Sequence, residues 1–199
     1  ATTNMLLAVG AKPVFVDIRE DTCNLNEVRI EQAVTSRTKA IVPVHVGGHP
    51  WDMRTIKAIA KKHNLLVIDD ACHALGATYR KKKIGSLSDL SIFSFHPVKS
   101  ITTGEGGAIL TDSKDFYEKM KRMRSHGIEK DAKGFNVMNS FGYNYRLTDI
   151  QASLGISQLK KLDSFIAKRR AVVSWYRELL TGNTHLALPV ELPEVESSW

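Results

Sequence analysis

Two cysteines, six prolines and no apolar run longer than about half a dozen residues mark what this 199-residue chain has little of. Two cysteines cannot build a disulfide scaffold. Cys23 and Cys72 form no Cys-x-x-Cys pattern, so reduced thiols in a cytoplasmic compartment are the expectation. Runs this short cannot span a bilayer. The start pairs no basic flank with an apolar stretch and a cleavage site, so neither membrane nor export is expected. Glycine, at 13 residues, is too sparse for a collagen-like fibre. Aromatics make up 8%, and they do not interleave with Arg and Lys as a nucleic-acid groove would require. Acidic residues are the minority charge: 21 Asp and Glu against 28 Lys and Arg leave a formal charge of +7. Such a surface suits anionic partners such as a phosphorylated small molecule. The one tight basic run, Arg80 to Lys83, reads as a solvated turn. What is present is 43% hydrophobic and 25% charged, which excludes disorder and supports one domain with a real core.

The chain alternates between two periods. Thr2 onward enters a helix whose apolar side is Met5, Leu6, Ala8 and Val9, stopped by Gly10. Pro13 to Asp17 reads as a short buried strand. A helix near Asn26 to Thr35 turns Val28, Ile30, Ala33 and Val34 inward. Ala40 to Val44 is a strand covered on both faces, and Asp52 caps a helix with Met53, Ile56, Ile59 and Ala60 on one stripe. Leu65 to Asp69 returns as a strand. This rhythm predicts an α/β fold with a mostly parallel sheet and helices on its faces.

After Asp70 the pattern changes to a basic hairpin over Ala77 to Ile84, strands over Leu90–Phe95 and Ala108–Thr111, and a helix over Lys114–Arg124. Ser125 to Phe141 reads as a long polar loop. Thr148 and Gln151 form a capping box that opens a long helical region, with Leu162, Phe165, Ile166, Val172, Val173, Tyr176, Leu179 and Leu180 as its stripe. Pro189 to Trp199 is an acidic tail without a closing element.

Ligands of open parallel sheets bind beyond the carboxyl ends of the strands. One predicted strand ends at Asp69-Asp70 and another at Ser94-Phe95-His96, with Lys99 following in a loop that runs through Gly104-Glu105-Gly106-Gly107. Asp70, His73, Ser94, His96 and Lys99 could therefore share one pocket. A lysine amine, a carboxylate and hydroxyl donors suit a carbonyl cofactor such as pyridoxal phosphate. Each residue also has a plainer role: a strand-end Asp caps turns, a loop Lys is surface charge, and His73 can be a packed histidine. His45 and His49 flank a glycine turn with no acidic or Cys ligand nearby in sequence, which argues against a metal. The glycine loop lacks the Gly-Lys-Ser/Thr ending of a nucleotide P-loop.

The motifs Val67-Ile68-Asp69-Asp70-Ala71-Cys72-His73-Ala74-Leu75-Gly76, Phe93-Ser94-Phe95-His96-Pro97-Val98-Lys99, Thr102 to Gly107 and Gly142 to Ala152 stand in the order found in one family. The chain resembles the DegT/DnrJ/EryC1 sugar aminotransferases along essentially its whole length. The resemblance implies an aspartate-aminotransferase-like (fold type I) large domain over residues 1–180, truncated at both ends, with 181–199 as the start of a smaller domain. It implies pyridoxal 5'-phosphate as cofactor, with Lys99 as the Schiff-base lysine, Asp70 at the ring nitrogen, His73 against the ring and Ser94 at the phosphate. Asn144 would reach the phosphate of a neighbouring subunit in a homodimer. Arg146 and His96 are candidates for contact with substrate.

Some family members replace the lysine with His and dehydrate, so Lys99 argues for transamination. Phe93–Gly107, Arg124–Ile128 and Leu159–Arg169 look most like members acting in pseudaminic acid synthesis. That implies a UDP-linked N-acetyl 4-keto-6-deoxy sugar as acceptor and L-glutamate as donor. Another keto nucleotide sugar, or a non-catalytic cofactor-binding relative, is the alternative. Family members also carry a phosphate loop and a ring-stacking aromatic before Ala1 and a small domain after Trp199, so this chain reads as an internal fragment expected to bind cofactor poorly alone.

Overall fold

Asn26 and Asp52 each stand one residue before a helix and accept a backbone N–H from it, Asn26 from Val28 and Asp52 from Thr55. These caps set two helices at one face of the central sheet. The computed structural model describes residues 1–199. In chain order the elements are α1 (Thr2–Ala8), α2 (Glu27–Ala33), β1 (Ala40–Ile41), a 3-10 turn (Val46–Gly48), α3 (Met53–His63) and β2 (Leu66–Asp70). They continue with β3 (Thr78–Tyr79), β4 (Lys82–Lys83), β5 (Leu90–Ser94), β6 (Gly107–Leu110), α4 (Lys114–Met123), β7 (Ile128–Lys130) and β8 (Asn136–Met138). Last come α5 (Asp149–Leu159), α6 (Leu162–Leu179) and β9 (Val195–Glu196).

The main sheet has the order β1-β2-β5-β6, with β1–β2 and β2–β5 parallel and β6 antiparallel to β5. The expected mostly parallel α/β sheet is therefore present. Its pleat decides what each residue faces, because successive side chains point to opposite sides. Val67 and Asp69 on β2, and Ser91 and Phe93 on β5, are buried; Ile68, Asp70, Ile92 and Ser94 take the other, half-buried face. Parallel pairing of Asp69 with Ser91 and Asp70 with Ile92 keeps the two sets in register. The core runs from Ile30 of α2 through Met53, Ile56 and Ala60 of α3 to Val67 and Phe93 of the sheet, with Trp51 beside them. Each such buried aliphatic or aromatic side chain contributes about 1.5–3 kcal/mol relative to exposure.

Several expectations need correction. Pro13 to Asp17 is not a buried strand: its one backbone tie is Asp17 O accepting from Asn26 N at 2.9 Å, and Phe15 is 78% exposed. The apolar side expected for α1 is not buried, and Val28 on α2 faces solvent while Ile30 carries the packing. Ala40 to Val44 shortens to β1 plus an isolated bridge between Val44 and Asp70, because Pro43 has no N–H to give the ladder. The polar stretch 125–141 is not a plain loop. It holds the β7–β8 hairpin, whose turn is closed by Asp131 Oδ1 accepting the N–H groups of Lys133 and Phe135 at 2.9 Å each.

The Thr148–Gln151 capping box forms as expected, yet α5 and α6 bury no residue: Leu162 and Ile166 lie against Gly76, while Val172, Tyr176 and Leu179 face solvent. The acidic tail does have a closing element: β9 adds to β3 on the edge opposite β4, and Ser197 and Ser198 are buried.

Candidate active site

The site begins with how β2 ends. Asp70 N donates to Pro43 O and Asp70 O accepts from His45 N, so the backbone is held on one side by the segment after β1. On the other side Ala71 N donates to Ile92 O of β5. The carboxylate is gripped as well: Thr2 of α1 donates its hydroxyl to Oδ2, and Cys72 N donates to Oδ1 at 3.2 Å. Burial pushes the Asp70 carboxyl up, but the hydrogen bonds from Thr2 and Cys72 and the nearby His73 outweigh it and hold the group below the ordinary carboxylate value. Asp70 is thus a half-buried, ionised acceptor at the carboxyl end of a parallel strand.

His73 lies in the turn after β2. Although it reaches solvent, partial burial of the ring and then the positive charge of Lys99 push it below the ordinary imidazole value, with Asp70 pulling the other way. Burial, reinforced by Asp70, pushes the Cys72 thiol up to about 12, which leaves it protonated and unreactive at neutral pH. Lys99 acts electrostatically on both Cys72 and His73, so its amine belongs to the same neighbourhood as Asp70. Its backbone closes a turn, Lys99 N to His96 O at 2.9 Å.

The loop carrying Lys99 is tied at its base by three contacts to Phe95: its carbonyl accepts from Thr103 N and Thr102 Oγ1, and its N–H donates to Gly106 O. Ser100 and Thr103 are buried, and Gln151 at the start of α5 donates its side-chain amide to Glu105 O at 2.9 Å. This fixes the loop between two sheet strands and a helix start. Ser94 closes β5 on the Asp70 face and accepts from His96 N at 3.3 Å. His96 points to solvent near Glu105, with its Nε2 at 3.9 Å from the carboxylate.

Asp70, His73 and Lys99 come together, and Ser94 and His96 sit at the adjoining strand end. Asn144 and Arg146 do not join them. They lie exposed on the segment that bridges Ser125, beside the stacked rings of Tyr143 and Tyr145. His45 and His49 diverge: His45 stacks on Trp51 with Nε2 at 3.5 Å from Asp69, while His49 is lodged between Asn24 and the backbone of Leu192. Sequence reasoning missed Thr2 and Ser198, whose hydroxyl donates to His73 O at 2.7 Å. Neither carries a local signal, because each partner is more than sixty positions away. A mostly apolar cavity of about 650 Å³ adjoins the site: Thr2, which grips Asp70, and Val44, which bridges it, line the cavity together with Leu6, Val14, Phe15 and Ile30.

The comparisons with known proteins agree along the whole chain. The model of the DegT/DnrJ/EryC1/StrS aminotransferase family matches residues 1–199. A UDP-4-amino-4,6-dideoxy-N-acetyl-beta-L-altrosamine transaminase of Campylobacter jejuni is 48% identical over 190 residues, covering 94% of this chain and 50% of that protein. A GDP-perosamine synthase of Caulobacter vibrioides is 46% identical over 195 residues, covering 94% of this chain and 52% of that protein. The solved structure of Helicobacter pylori PseC, an aminotransferase involved in the biosynthesis of pseudaminic acid, superposes with a TM-score of 0.91 at 40% identity. It matches over 99% of this chain and 53% of its own. The chain thus spans about half the length of the curated relatives it matches.

Proposed function

The chain belongs to the DegT/DnrJ/EryC1/StrS aminotransferase family, and on that premise we propose that the protein containing it transfers an amino group from an amino acid to the keto carbon of a nucleotide-linked sugar. The family's cofactor is pyridoxal phosphate. The observation that carries the reading is Asp70, gripped by Thr2 and Cys72 at the end of β2, beside the end of its parallel partner β5, where the loop bearing Lys99 is tied to Phe95.

That donor set fits the cofactor: a carboxylate for its ring nitrogen, an amine for its aldehyde carbon, and the Ser94 hydroxyl on the Asp70 face for a phosphate oxygen. When bound, pyridoxal phosphate supplies a ring that takes up the electrons left when a proton departs from carbon. The remaining work falls to the chain. Asp70 holds the ring nitrogen protonated, which its fixed negative charge favours. Lys99 would hold the cofactor at its aldehyde carbon, and its amine, when free, would supply the base that moves a proton. His73 lies against the ring; His96 and Arg146 meet the sugar nucleotide, whose phosphates suit the basic chain. Asn144, remote from Asp70 in its own chain, serves a neighbouring subunit of a homodimer.

The finer reading is a UDP-linked N-acetyl 4-keto-6-deoxy sugar of pseudaminic acid synthesis with L-glutamate as donor, in the cytoplasm. It is supported by the likeness to the altrosamine transaminase and PseC. No helix of the structure is long and apolar enough to cross a membrane.

The test uses the full-length protein, numbered as here. Borohydride reduction should leave the cofactor's mass on the peptide bearing Lys99, and Lys99→Ala should lower turnover by a factor of about 10³ or more while the fold is retained. Substantial residual transamination in K99A removes Lys99 from its role. Run in reverse with 2-oxoglutarate and a panel of amino sugars linked to UDP or GDP, the assay identifies the sugar; consumption of none of them counts against the whole reading.

A further inference from the structure

Asp70 has two side-chain oxygens with about four acceptor positions between them. Cys72 N occupies one on Oδ1 and Thr2 Oγ1 one on Oδ2, and the Cys72 thiol also acts on the carboxylate. Thr2 comes from 68 positions away, on a helix that carries no charged side chain. The Cys72 amide follows automatically from the turn, since a backbone N–H two residues on commonly meets an Asp side chain. Thr2 is different. It is a side chain brought by tertiary structure alone, and it sets the orientation of the carboxyl plane from the far side of the site.

We propose that Thr2 is a positioning residue: its hydroxyl, donated to Asp70 Oδ2 at 2.5 Å, orients the carboxylate toward the ring nitrogen of pyridoxal phosphate while leaving it acceptor capacity for that nitrogen. The inference rests on the proposed function for the identity of that ring, but not for the contact itself. The titratable groups that act on Asp70 are the Cys72 thiol and His73, and Lys99 acts in turn on both of those. Cys72 holds its proton, so the charged carboxylate is favoured by the hydrogen bonds from Thr2 and Cys72 and, less strongly, by His73. Removing the Thr2 hydroxyl therefore takes away one of the few groups that oppose the cost of burying that charge.

The experiment replaces Thr2 by Val, nearly the same shape without the donor, and by Ser, which keeps it, in the full-length protein. Two quantities are read. In the cofactor-free protein, ¹³C NMR follows the Asp70 carboxyl through its titration, which should move upward in T2V and return in T2S. With pyridoxal phosphate added, T2V should bind it about tenfold more weakly, the equivalent of one hydrogen bond to a charged group, with T2S restoring affinity. An Asp70 titration that T2V leaves unmoved, or that T2S fails to restore, overturns the role of Thr2. Because the titration needs no cofactor, failure of the unaltered protein to bind pyridoxal phosphate counts against the proposed function and not against this contact.

Discussion

At the scale of single residues, the site depends on one strand presenting two adjacent carboxylates to different surroundings. Asp69 is fully enclosed, receiving the Ser91 hydroxyl at 3.1 Å and lying near His45, whereas Asp70 takes the half-buried face and receives Thr2 and Cys72. A group held below its ordinary value binds its proton more weakly in the folded state than in the unfolded one. Its stabilisation is therefore complete above the unfolded value and is lost as pH falls through the folded value. For Asp70 that window begins near pH 4 and extends downward. Urea unfolding of the full-length protein at a series of acid pH values should show stability falling more steeply in the wild type than in Asp70→Asn. Parallel curves for the two proteins would mean that the native contacts of Asp70 do not favour its charged form.

At the scale of elements, caps and pleats matter more than propensity. Asp52 accepts from Thr55 N at 3.1 Å and from Thr55 Oγ1 at 2.7 Å, which starts α3 just where Met53, Ile56 and Ala60 can pack under β2. Asp52→Ala should cost about 1 kcal/mol, read as a lowered urea midpoint with unchanged slope, while Asp52→Asn should retain most of the stability. A neutral D52A would indicate that packing alone sets this boundary. The same scale explains where sequence reading fell short. Pro13 to Asp17 has the apolar content of a strand but finds no partner strand, and strand character in that stretch needed one. The β7–β8 hairpin has one local signal in its turn, Asp131 followed three positions later by Gly134.

At the scale of the whole molecule, distant segments meet around Gly48. Its φ of +77° is a left-handed conformation, and a Cβ there would lie 2.5 Å from Ser198 Oγ and 2.8 Å from both His73 O and Trp199 N. Gly47 has a similar φ of +58° but open space around it. Gly48→Ala should therefore cost about 3 kcal/mol, combining strain with overpacking, and Gly47→Ala only about 1 kcal/mol. Thermal denaturation of both variants in the full-length protein makes the comparison; equal losses would show that the tail is not seated against the 46–48 turn. Arg169 and Arg170 of α6 hold the same tail through the carbonyls of Trp199 and Ser197, so the turn that carries His73 is braced by the end of the chain.

Sequence alone determined the α/β rhythm, the caps at Asp52 and Thr148, and the delivery of Asp70 and Ser94 to one edge. Those follow from local periodicity, short-range hydrogen bonding and the two-residue repeat of a strand. Tertiary structure alone decided that Thr2 grips Asp70, that Ser198 holds the turn of His73, and that His45 and His49 part company. Each of those contacts joins residues whose separation along the chain, or whose divergent burial, leaves no trace in the local pattern, because packing selects them only after the backbone has brought the segments together.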